Sequence, residues 1–139
     1  MLADAAQVVD GKLYVLGGAW NRYHCHAFPT QAAMAFAASI IVDPDEAGRP
    51  FPVTLALVDE AGVPIIPDIT AQAQVRHPEA ERVQQRTLLT VSASIMIPRA
   101  GRYTLQATAG GSSSRVSFDA VFVGKRVALG GGGESGLGN

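Results

Sequence analysis

The chain has 139 residues, about the size of one domain and enough to bury a core without covalent or metal staples. Hydrophobic residues make up 47% and charged residues 17%, which excludes a disordered class. Formal net charge is -1, from 11 basic and 12 acidic side chains, and no run of like charge marks a nucleic-acid surface. DNA and RNA are therefore not expected partners.

Leu2 to Trp20 reads as a β-hairpin beginning almost at the first residue. Two apolar runs, Ala5 to Val9 and Leu13 to Leu16, flank Asp10-Gly11, a pair suited to the positive φ angles of a two-residue turn. Gly17-Gly18 then permits a bend or a close backbone approach before Trp20. Asn21 to Pro29 reads as a polar and aromatic connection. Ala32 to Val42 carries larger residues on alternate positions, Met34, Phe36, Ile40 and Val42, so a strand covered on both sides is favoured over an alanine-rich helix.

Asp43 to Pro50 is a loop, and Val53 to Val58 is the next alternating strand. Val63 to Pro67 points to a sheet edge because of its prolines. Ile69 to Arg76 is a half-buried strand, followed by an exposed loop over 77–82 with room for a short helical turn. Thr87 to Ile97 is a long strand, Pro98 to Gly101 a turn, and Tyr103 to Ala107 and Val116 to Phe122 complete the pattern around Gly110-Gly111. These roughly seven to nine short strands favour an all-β fold, an antiparallel β-sandwich of immunoglobulin-like or Greek-key type, over a closed barrel. The expected organisation is one domain over residues 1–123 and a glycine-rich tail over 124–139, in which Leu129 and Leu137 are candidates for docking on a neighbouring subunit.

Leu2-Ala3-Asp4-Ala5-Ala6 with Asp10-Gly11-Lys12-Leu13-Tyr14-Val15-Leu16-Gly17-Gly18, together with Pro98-Arg99-Ala100-Gly101-Arg102-Tyr103, resembles an uncharacterised family of small bacterial proteins, common in actinobacteria. The resemblance covers residues 2 to about 123 and takes in Leu57-Val58-Asp59-Glu60. It implies the fold and carries no activity and no catalytic residue.

A single cysteine, Cys25, forms no internal disulfide, and Asp4 interrupts any signal-peptide core. No window approaches the ~18 apolar residues of a membrane span. A cytoplasmic protein is the expectation.

His24-Cys25-His26 is the most suggestive chemical group. On an extended segment His24 and His26 point the same way and would give two ligands to a transition metal, with His77 or an acidic loop completing the shell. Solvent-facing loop histidines are the plainer reading. Cys25 as an activated nucleophile lacks an oxyanion motif, so a buried thiol is favoured. The acidic turns at 43–46 and at Asp59-Glu60 would meet at one end to bind calcium, against ordinary turn chemistry. Trp20 and Tyr23 would form a ligand platform for carbohydrate or peptide, against rim packing.

The leading expectation is a non-enzymatic binding or assembly module with no cofactor, self-associating as a homo-oligomer. Tyr14 and Leu16 on one parity and Leu13 and Val15 on the other point to a second covered face. The alternatives are a metal-binding protein or enzyme centred on His24 and His26, and a carbohydrate- or peptide-binding module.

Overall fold

The computed structural model describes residues 1–46, 48–75 and 85–124. They form β1 (Leu2–Val9), β2 (Lys12–Gly18), β3 (Arg22–Cys25), β4 (Thr30–Val42), β5 (Phe51–Val58), β6 (Ile69–Ala73), β7 (Gln85–Ile97), β8 (Gly101–Ala109) and β9 (Ser112–Phe122). One sheet has the order β2-β1-β4-β7 and the other β3-β9-β8-β5-β6. The expected loop over 77–82 and the tail residues Leu129 and Leu137 lie outside the described residues.

Each strand follows from a two-residue side-chain period. In β4 the inward residues Ala32, Met34 and Phe36 lie opposite Ile95, Ala93 and Val91 of antiparallel β7. In the second sheet Tyr103 lies opposite Phe118 and Leu105 opposite Val116, while Arg102 faces Asp119 and Thr104 faces Ser117 on the solvent side. One hydrophobic cluster draws on both sheets, joining Leu2, Met34, Phe36 and Ile95 to Leu55, Leu57, Tyr103 and Phe118. Two sheets sharing one core make a β-sandwich. Full burial of each large side chain in it is worth roughly 1.5–3 kcal/mol. Tyr103 and Phe118 stack at 5.5 Å, and Trp20 meets Phe118 edge-on at 5.6 Å. A small apolar gap of about 30 Å³ remains between the sheets, lined by Met34, Phe36, Leu55 and Leu105 among others.

Two features depart from the expected pattern. The connection at 21–29 contains a short strand, β3, and it runs parallel to β9, with Tyr23 opposite Ala120 and Cys25 opposite Phe122. Only Tyr23 and Cys25 turn inward, too few residues to show a period above the polar Arg22 and His24. The acidic turns at 43–46 and 59–60 precede and follow β5, so they do not meet. Eight residues of strand hold them about 25 Å apart, at ~3.3 Å per residue.

A polar knot closes the end of the sandwich where β5 stops and β8 starts. Asp59 Oδ1 accepts the N–H groups of Ala61 and Val63, both at 2.9 Å, and Oδ2 accepts Arg99 Nη2 at 2.7 Å. Glu60 Oε1 accepts the Arg102 N–H at 2.7 Å, and the Tyr103 hydroxyl donates to the Arg99 carbonyl at 2.6 Å. The Pro98-to-Tyr103 motif is thereby tied to the Asp59 turn by side chains on both. Tyr103→Phe removes one of these bonds while keeping the ring, so a stability loss of about 1 kcal/mol is expected. It is read as a lower urea midpoint with an unchanged slope.

Candidate assembly surface

The first hairpin is built by its turn. Asp10 and Gly11 have φ of 49° and 70°, the positive values a two-residue hairpin loop requires at both central positions. The pairing runs from Val9 opposite Lys12 to Ala3 opposite Gly18. Among the described residues the hairpin is paired with the rest of its sheet only at its base, where Leu2 lies opposite Phe36 and Ala3 opposite Ala35 of β4. Leu2 and Ala3 are buried, and the strand departs from β4 at Asp4. Gly17, with φ of 59°, lies beneath the Asp4 side chain, which occupies the space a Cβ at that position would need. Beyond this joint the hairpin is an arm.

Both faces of the arm are apolar and open. Leu16 and Tyr14 are 72% and 53% exposed on one face with Val9, and Val8 and Val15 are exposed on the other. The second sheet behaves differently, since Arg102, Thr104 and Gln106 of β8 and Arg115, Ser117 and Asp119 of β9 face outward and Arg102 makes a forked ion pair with Asp119 at 2.9 and 3.3 Å. Five large apolar side chains are thus exposed together on the arm, whereas Ile41, Met96 and Phe122 are exposed on separate strands. The sequence signal was the apolar character of both parities of β2. That the strands leave the sandwich after Ala3 is a fact of tertiary pairing.

The residues singled out for chemistry fall as follows. Trp20 and Tyr23 do come together, with ring centroids 5.7 Å apart, and both pack against the core at its rim. The Trp20 Nε1–H is enclosed without a hydrogen-bond partner. His24 is exposed, and the His26 ring Nδ1 lies 3.2 Å from the Val123 carbonyl. His77 lies outside the described residues. Among the described residues no three His, Cys, Asp or Glu side chains gather as a metal shell. Cys25 is buried, its thiol is directed at the Tyr23 carbonyl at 3.8 Å, and burial pushes its titration up, away from the thiolate a nucleophile needs.

Asp59 has the ordinary turn chemistry that its place in the sequence suggests, through the Ala61 and Val63 N–H groups, and adds a pairing with Arg99 that the sequence did not indicate. Its carboxyl is held below the ordinary aspartate range by the Val63 N–H first and then by Arg99 and the Ala61 N–H, against an opposing effect of burial. The signal was local: an aspartate opening a turn that reaches glycine three residues later. A depressed carboxyl contributes stability that is complete above the unfolded value of about 3.9 and is lost as pH falls through the folded value. Asp59→Asn is therefore expected to unfold at lower urea than wild type at pH 7, with the gap narrowing below about pH 4. Urea melts at neutral and acidic pH check this, and a constant gap would contradict it.

No curated protein and no solved structure matches the chain. DUF6941, a family of unknown function, matches residues 1–118. That span runs from the arm through the core to Phe118, and the chain belongs to this family.

Proposed function

We propose that the chain is a non-enzymatic β-sandwich module for assembly, and that it self-associates through its first hairpin. One observation carries this reading: Leu16, Tyr14, Val15, Val8 and Val9 are exposed together on an arm joined to the sandwich at two cross-strand pairs. A two-stranded hairpin is marginal in water without something packed on it. Here the apolar side chains that would normally cement a hairpin to a core face outward on both sides. Covering them returns roughly 25 cal/mol for each Å² of apolar surface removed from water, which favours association over solvent exposure.

The geometry of the frame supports this reading. The sandwich holds the base of the arm through buried Leu2 and Ala3, so the arm is presented at a defined place. Such an element links one copy to the next without any chemistry of its own. Tyr14→Ser with Leu16→Ser removes the two most exposed large apolar groups of the arm's β2 strand while leaving the core untouched. Exposed positions tolerate substitution to within about 0.5 kcal/mol, so the variant is expected to stay folded. Sedimentation velocity is expected to show an oligomer for the full chain and a monomer for the double variant. A wild-type monomer at the highest attainable concentration would contradict the proposal.

A further inference from the structure

Strand β2 is an outer strand of its sheet, so one side of its backbone has no ladder partner among the described residues. Free edges of this kind template pairing unless they are blunted by charge, proline or brevity. The outer strands β3 and β6 are blunted, and β1, whose second edge is free of β4 past Ala3, carries the charge of Asp4 at the start of that free stretch. β3 has four residues, including Arg22 and His24, and β6 has five and follows Pro64 and Pro67. β7 is an outer strand with no charge or proline from Thr87 to Ile97, but the middle of its outward face is polar, with Thr90, Ser92 and Ser94, where that of β2 is apolar. β2 has no charge and no proline between Leu13 and Gly18.

We infer that β2 pairs antiparallel with β2 of a second copy across a two-fold axis, joining two four-stranded sheets into one. The inference rests on the self-association reading and specifies its geometry. An antiparallel pair related by a two-fold axis places one residue opposite itself. When the seven residues of β2 overlap fully, that residue is Val15. Tyr14 then lies opposite Leu16, Leu13 opposite Gly17, and Lys12 opposite Gly18.

This arrangement suits the strand's own chemistry. Lys12 is its only charge, and it meets a glycine rather than the second copy's Lys12, as a parallel pairing would require. The Tyr14–Leu16 pair occurs twice by symmetry and brings together the two most exposed apolar side chains of the arm. Aromatic and aliphatic cross-strand pairs of this kind are stabilising. A foreign strand would gain the backbone bonds without this doubled match. An isologous contact also uses up the β2 edge in both copies, so assembly through it closes at a dimer.

The test is site-specific cross-linking of the full chain with a short bifunctional thiol reagent, keeping the buried Cys25. Across the axis, Cβ atoms of residues 15 would stand about 5 Å apart. Those of residues 12 would stand about 20 Å apart, six residues of strand at ~3.3 Å each. Val15→Cys is expected to give a predominant covalent dimer, and Lys12→Cys and wild type none. Leu16→Cys, about 7 Å from its copy by the same strand spacing, is expected to cross-link as well and serves if Val15→Cys does not fold. An oligomer that cross-links at neither residue 15 nor 16, or equally at 12, would overturn the β2 pairing and leave self-association standing. A wild-type monomer would overturn both.

Discussion

Two cross-strand pairs, Leu2 with Phe36 and Ala3 with Ala35, join the first hairpin to the sandwich, and the character of the surface depends on their being so few. Leu2 is fixed because it enters the core beside Phe36. Past Ala3 the β1 strand has β2 as its only registered partner among the described residues, and the Asp4 side chain lies over Gly17 at the point of departure. A residue with a Cβ at Gly17 would collide there and would also have to adopt a φ that favours glycine. The joint thus separates a hairpin whose base is core from one whose tip is surface.

The opposite demand, a rigid frame, is met by ordinary sandwich physics plus one polar knot. Aromatic packing of Trp20, Tyr103 and Phe118 fills one region of the interior, and the aliphatic residues of β4, β5 and β7 fill the rest. Asp59 ties its own turn to Arg99, while Tyr103 ties the same turn region to the core. A buried carboxylate in this position is tolerated because both of its oxygens are satisfied, Oδ1 by two backbone N–H groups and Oδ2 by a guanidinium. The frame holds the base of the arm without supplying cover for its length.

Much of this fold was legible because alternation is local. Met34 and Phe36 in β4, Tyr103 and Leu105 in β8, and Asp10-Gly11 between β1 and β2 each report their element within a few residues. β3 was not legible, since four residues with two inward side chains carry no period and its parallel partner β9 lies far along the chain. The same holds for the separation of the acidic turns, which is visible only once β5 is seen to run between them. The apolar double parity of Leu13 to Leu16 indicated a covered second face, and the fold shows that nothing in the described residues of the same chain covers its most exposed members. Periodicity reports which side chains avoid water but not which surface, or whose, they turn to.

Amide hydrogen exchange of the full chain at low and high protein concentration addresses this most directly, read over Lys12 to Gly18. Self-association through the arm predicts that the β2 amides not bonded to β1 exchange freely on dilution and become protected as concentration rises, while core amides of β4 and β8 stay protected throughout. Such β2 amides exchanging at the same rate at both concentrations would contradict it.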